Sequence, residues 1–309
     1  MPPAYAPLEA GLKRSAASDD SFTNKVHSPK LFRASALSAA DRLPLVSTVL
    51  NRALGLLARG DDVSVGDLSV VIEEDVIITG SVLSIANSAA FSRNSRVSSV
   101  RRAIAQIGIH KTRNVLLGLT ISRWGNAVRV PGPWSSARFN AHALAVATLS
   151  DLIVQSVESK SSEWAFVAGL LHDIGLPLIA VGLPEQFRAI ASEASTDLQI
   201  VEWEREMLGF THFDLGAEML ARWNCPPVVQ EATRFCERAE FPYDPPLNLG
   251  AAVKTASLLA DANGISMFDA SEDDGVTAAL LESLQIPAPM EFIAKFKMEY
   301  SGMQACAAA

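Results

Sequence analysis

Two adjacent ionisable residues, His172 and Asp173, interrupt the apolar run Ala168-Gly169-Leu170-Leu171-His172-Asp173-Ile174-Gly175. Burying such groups is costly unless they are paired, hydrogen-bonded or bound to metal. An imidazole and a carboxylate side by side can both ligate a divalent ion, and the carboxylate can bridge to a second one. The same pair can equally be a hydrogen-bonded helix end that fixes packing. Two further histidines lie on apolar helical stretches: His142, thirty positions earlier, and His212, forty positions later. A lone histidine on such a face is usually a satisfied core residue, but three around one His-Asp pair form a potential ligand set. The other two histidines carry less. His27 lies in a polar leader, and His110 precedes Lys111-Thr112-Arg113 at a helix start, where a surface or capping role suffices.

These residues need helices to position them, and the chain supplies little else. Nearly half of its 309 residues are apolar and only 7% are aromatic. Ala and Leu dominate, and both are strong helix formers. Residues 1–30, rich in Pro, Ser, Ala and charge without a period, read as a flexible leader. Order is expected from about Leu43-Pro44-Leu45. Val46, Val49, Leu50, Ala53, Leu54 and Leu57 then recur at three- and four-residue steps, the stripe of an amphipathic helix. Ser64 is the natural N-cap of a helix from Val65 to about Ile72, with Asp67 in its first turn. Further helices are expected over 75–86, 98–108 and 110–123.

Pro131-Gly132-Pro133 is a break that no helix can cross. It divides an N-terminal helical lobe, 31–130, from a second lobe, 131–265. The second lobe opens with a long helix over 135–157, followed by helices over 163–180, 184–195, 198–208, 211–223, 226–238 and 247–263, the last stopped by Gly264. Two C-terminal helices and a tail occupy 266–309. The expected fold class is all-α, a two-lobed helical bundle.

Charge and composition exclude several roles. A net charge of −8 argues against a general phosphate-backbone binder, so nucleic acid is an unlikely partner. Cys225, Cys236 and Cys306 show no CxxC or disulfide spacing, which fits a reducing compartment. No signal-peptide core and no run of about 18 apolar residues was evident, so the expected location is the cytoplasm, away from membranes. One local exception to the acidity is Arg93, Arg96, Arg101 and Arg102, with Lys111 and Arg113 nearby. It is either a solvated face or a docking patch for an acidic or phosphate-bearing partner. Asn87, between apolar residues at a helix end, should make a capping hydrogen bond. Trp223 should pack.

The arrangement resembles the HD superfamily of metal-dependent phosphohydrolases, and specifically its HDOD branch, the HD-related output domain of bacterial signalling proteins. The resemblance spans about residues 40–265. It rests on Leu43-Pro44-Leu45, Ala86-Asn87-Ser88-Ala89-Ala90-Phe91, Ala103-Ile104 with Ile107-Gly108, the Leu171–Gly175 stretch, Gly209–Gly216, and Ala221-Arg222-Trp223-Asn224-Cys225-Pro226. It implies an HD-like second lobe. His142 would take the first metal-ligand position, His172 and Asp173 the HD pair, His212 a later histidine position and Asp261 the final aspartate.

One departure weighs against catalysis. Where relatives often carry a His-His pair, this chain reads Arg234-Phe235-Cys236-Glu237, which changes the charge and hardness of the donor set. The resemblance therefore implies a non-catalytic signalling domain, with no cofactor or a single divalent metal ion. Its partners would be signalling proteins such as a histidine kinase, a response regulator or a cyclic-dinucleotide enzyme. The alternative is a metal-dependent phosphohydrolase or phosphodiesterase. Hydrolysis would also need a cation to hold phosphate, and Arg188 and Arg234 are the nearest candidates in sequence.

Overall fold

The computed structural model describes residues 29–41, 52, 55–56, 62–88, 91, 96–128, 130, 134–157, 162–194, 197–238, 247–268 and 275–307. Among them the regular structure is entirely helical, as the composition predicts. The stripe from Val46 to Leu57, the Leu43-Pro44-Leu45 segment, Arg93 and Pro131-Gly132-Pro133 lie outside the described residues.

In the first lobe, α2 (Val65–Glu73) begins where its cap predicts. The Ser64 hydroxyl accepts from the Asp67 backbone N–H, and the Asp67 carboxylate accepts from the Ser64 N–H. Asp75 caps α3 (Val76–Ala86) through the N–H groups of Ile77 and Ile78, and it also accepts from Arg123. Asn87 ends α3 as expected and does more. Its amide nitrogen donates to the carbonyls of Leu83 and Val97, while its oxygen accepts from the Val97 N–H. That clamp sets the start of α4 (Val100–Ile107), which is followed by α5 (Ile109–Ala127).

Arg123 holds the Asp75 carboxyl below its ordinary value near 3.8, against the upward push of burial. Because the folded value is depressed, this contribution is present above pH 4 and fades as pH falls through the folded value. Asp75→Ala should therefore cost about 1–2 kcal/mol at pH 7. In urea titrations that gap should narrow at pH 3; a gap independent of pH would remove the ion pair from the account.

The second lobe is organised on α6 (Ser136–Ser156), buried on nearly all sides from Phe139 to Val154. A helix apolar all round belongs in a core. Small residues let α7 (Ser162–Leu171) approach so closely that a Cβ at Gly169 would lie 2.7 Å from the Val146 carbonyl oxygen and 2.8 Å from the Ala147 Cα. The expected helix over 163–180 is in fact two, α7 and α8 (Gly175–Gly182), separated by a turn at His172, Asp173 and Ile174. Pro177 explains the break. In a continuous helix its ring would meet the carbonyl of Asp173, whereas in the first turn of α8 its missing N–H costs nothing.

The chain continues through α9 (Pro184–Glu193), α10 (Asp197–Leu208), α11 (His212–Arg222), α12 (Pro227–Arg238) and α13 (Leu249–Ala262). Gly264, at φ 76°, follows α13, and the Ile265 N–H returns to the Ala260 carbonyl, the stop that glycine predicts. Next come α14 (Val276–Ser283) and α15 (Pro289–Ala307), and α15 packs on α3, α5 and α6.

One expectation is corrected. Order does not wait for Leu43, because Pro29–Ser38 forms a helix, α1, against the second lobe. Ser35 donates to the Gly182 carbonyl, and Arg33 pairs with Glu218 at 2.8 Å while lying over the Phe210 ring. These contacts are tertiary, which is why the local pattern did not reveal them. The stretch Trp164–Gly182 is long and apolar enough to cross a membrane, a run the sequence reading did not count, but 89% of its most apolar window is buried inside the fold.

Candidate metal centre

The turn between α7 and α8 faces α6 and the start of α11, and this brings His142, His172, Asp173 and His212 together. All are nearly inaccessible, with exposures of 1%, 1%, 7% and 4%. Each imidazole is oriented from behind. His142 Nδ1 donates to the Ile265 carbonyl at 2.8 Å, and His172 Nδ1 donates to the Gly169 carbonyl at 2.8 Å. Since a carbonyl can only accept, both rings carry their proton on Nδ1 and turn Nε2 inward.

The two Nε2 atoms converge on one oxygen. His172 Nε2 is 3.1 Å and His142 Nε2 is 3.7 Å from Asp173 Oδ2. His142 Nε2 is buried without a hydrogen-bond partner. Two imidazole lone pairs beside a carboxylate repel unless a proton or a cation lies between them. The three ligand atoms all lie within 4.8 Å of one another, so His142, His172 and Asp173 could share one metal ion. The donor set of two nitrogens and an oxygen suits a borderline divalent cation.

His212 plays another part. Its Nδ1 lies 2.7 Å from Glu204 Oε2, which also accepts from the His212 backbone N–H, and its Nε2 lies 3.5 Å from the other oxygen of Asp173. Burial disfavours its charged form. Glu204, with the hydrogen bond to Asp173, outweighs burial and raises the ring's pKa to about 10. Burial likewise pushes Asp173 up, but His172, once its Nε2 carries a proton, and His212 hold its carboxyl well below the usual carboxylate range. His212 is thus an imidazolium between two carboxylates, and it meets the Asp173 oxygen that His142 and His172 do not.

Asp261 lies 3.6 Å from His142 Nδ1, on the face turned away from Asp173, so it does not join the three ligand atoms. Cys236 donates to the Ala232 carbonyl, burial raises its thiol to about 12, and its sulfur is not among the three converging ligand atoms. Glu237 is engaged by Arg205 at 2.6 Å. Arg188 and Arg234 are exposed and offer no phosphate clamp inside the site. Arg96, Arg101 and Arg102 are exposed on the first lobe.

Glu204, 1% exposed, was invisible in the sequence. It stands in Val201-Glu202-Trp203-Glu204-Arg205-Glu206, a charge-rich run that reads as a solvated helix face. Its only signal is that it shares the face of Ile200, Val201 and Leu208, all buried.

This combination, an all-helical fold around one hydrophobic core with a His-Asp turn presented to a third histidine, is that of the HD-type class of helical domains. The sequence profile of the HDOD domain matches residues 43–239, and the chain belongs to that family. An HDOD domain protein of unknown function from Geobacter sulfurreducens shares the fold at a TM-score of 0.69, with 18% identity over 91% of this chain and 98% of that one. A candidate phosphohydrolase from Shewanella amazonensis SB2B gives 0.66, with 22% identity over 88% and 97%. A candidate signal-transduction protein from Marinobacter aquaeolei VT8 gives 0.65, with 21% identity over 91% and 65%. An uncharacterized protein of Treponema pallidum (strain Nichols) is 24% identical over 65% of this chain, and the match spans 39% of that protein's length.

Proposed function

We propose that this chain is a non-catalytic signal-transduction domain of the bacterial cytoplasm, acting by binding partner proteins, nucleotide-linked partners included. The reading rests on where the ligand set stops. Three donors converge, while two other candidates are engaged elsewhere, His212 between Glu204 and Asp173 and Glu237 with Arg205, and Asp261 approaches His142 Nδ1 at 3.6 Å outside the trio. Two-metal phosphoester hydrolysis needs a fuller set and a cation aimed at phosphate.

The second reading, a metal-dependent phosphohydrolase, is favoured by the trio itself. A candidate metal-dependent phosphohydrolase from Shewanella amazonensis SB2B shares the fold at a TM-score of 0.56 and 17% identity. A bound divalent ion would supply a water acidified for attack on phosphorus. His142, His172 and Asp173 would hold it, and His212 would keep Asp173 charged and oriented.

Elemental analysis and turnover of bis(p-nitrophenyl) phosphate with added manganese or iron separate the two. The expected result is at most one equivalent of metal, lost in His172→Ala, with no turnover. Two equivalents with turnover abolished by Asp173→Ala would overturn the signalling reading.

Partners would be a histidine kinase, a response regulator or a cyclic-dinucleotide enzyme, docking on the arginine patch of the first lobe. Reversing Arg96, Arg101 and Arg102 to Glu should weaken capture of such a partner by roughly tenfold at physiological salt, because charge steering is the main term. Capture unchanged in a pulldown, with helical circular dichroism intact, would dismiss the patch.

A further inference from the structure

A second cavity lies apart from the metal centre, where α3 and α5 of the first lobe meet α6, α7 and the C-terminal helix α15. Its volume is about 210 Å³. The walls are mainly apolar, including Ile85, Phe91, Val115, Phe166, Met298 and Met303. Methionines at a cavity wall adapt to varied ligand shapes. Such a space with a few placed polar groups is the usual form of a small-molecule site.

The polar groups are specific in kind. Asn114 lines the cavity at 8% exposure, and its side-chain oxygen is buried with no hydrogen-bond partner. A buried acceptor left unmade costs about 1–3 kcal/mol, so a donor entering the cavity would recover that energy. Asp151 also lines it, and among the described residues its hydrogen bond comes from Gln155 at 2.9 Å, to Oδ2. The one ammonium in the lining, Lys111, is already taken by Glu299 at 2.7 Å and lies 5.5 Å from the Phe91 ring centroid. Among the described lining residues two carboxylates face one ammonium, with Lys295 a further cation acting on Asp151, and the Asn114 oxygen remains an unmet acceptor. Burial raises the Asp151 carboxyl above its ordinary value, a shift that a cation beside it would oppose.

We propose that this cavity binds a small aromatic amine, its ring against Phe91, Phe166 and the two methionines and its nitrogen donating to Asn114 and Asp151. Occupancy would tie α15 to both lobes and give the domain a chemical input independent of the metal centre. A carboxylate-bearing analogue would be rejected by Asp151 and Glu299.

Tryptamine, indole and indole-3-acetate test this by isothermal titration calorimetry on the metal-free full chain. Tryptamine should bind with one-to-one stoichiometry and indole more weakly, while indole-3-acetate should not bind. Asp151→Asn and Asn114→Leu should each weaken tryptamine by roughly tenfold, the effect of losing one charge-assisted hydrogen bond. His172→Ala should leave its affinity unchanged. Should either cavity variant fail to fold, methyl NMR of the wild-type chain decides, since tryptamine must shift the Met298 and Met303 methyls. Absence of binding at millimolar tryptamine, shifts that spare both methyls, or equal affinity for indole-3-acetate would overturn the proposal.

Discussion

Replacing Gly175 by alanine should unfold the second lobe locally and abolish metal binding, although the change adds one methyl group. A Cβ at that position would stand 1.9 Å from the His212 carbonyl oxygen and 2.9 Å from the Gly216 nitrogen. Both are backbone atoms at the start of α11, so no side-chain rotation relieves the clash. The helices must separate, and His212 leaves Asp173 as they do. Overpacking of a well-filled core costs about 1–3 kcal/mol, and a backbone clash belongs at or above the top of that range. Gly80→Ala is the internal control. Gly80 is exposed in α3 and nothing lies within 4 Å of its added methyl, so the variant should gain roughly 0.5–1 kcal/mol from helix propensity. Urea titration of both variants, read by circular dichroism, should move the midpoints in opposite directions. A Gly175→Ala midpoint equal to wild type would mean that α8 and α11 are not in the close register that forms the site.

The contrast between these glycines shows where sequence reasoning reaches and where it stops. The Ser64 cap, the capping bond from Asn87 to the Leu83 carbonyl and the Gly264 stop were legible because each depends on residues within a few positions along the chain. Membership in the HDOD family was legible for a similar reason, since the Ala-Asn-Ser, His-Asp and Gly-His blocks keep local order. The metal trio was legible as residue types, but its limits were not. Asp261 was expected among the ligands; its carboxylate approaches His142 Nδ1 at 3.6 Å, a placement set by tertiary packing that spacing does not encode. Helix α1 escaped notice because its partners, Gly182 and Glu218, lie about 150 and 185 positions away. Glu204 escaped because burial of one carboxylate in a charged run is decided wholly by the histidine that meets it.

That carboxylate carries the other large effect. Glu204→Ala should cost about 3–5 kcal/mol, because it strands a buried imidazolium and two N–H donors that now share one oxygen. Glu204→Gln should cost less, roughly 1–3 kcal/mol, since an amide oxygen can still accept from His212. The pH dependence distinguishes charge from packing. His212 has a folded value of about 10 against an ordinary 6.5, so its protonated form favours the folded state. In metal-free protein that contribution is complete below pH 6.5 and is lost as pH rises toward 10. The stability gap between wild type and Glu204→Gln should therefore be widest at pH 6 and narrow steadily by pH 10. A gap constant across that window would mean that Glu204 only fills space. The neutral His212 would then be available as a metal ligand, and the case for a site confined to one ion would lose its physical basis.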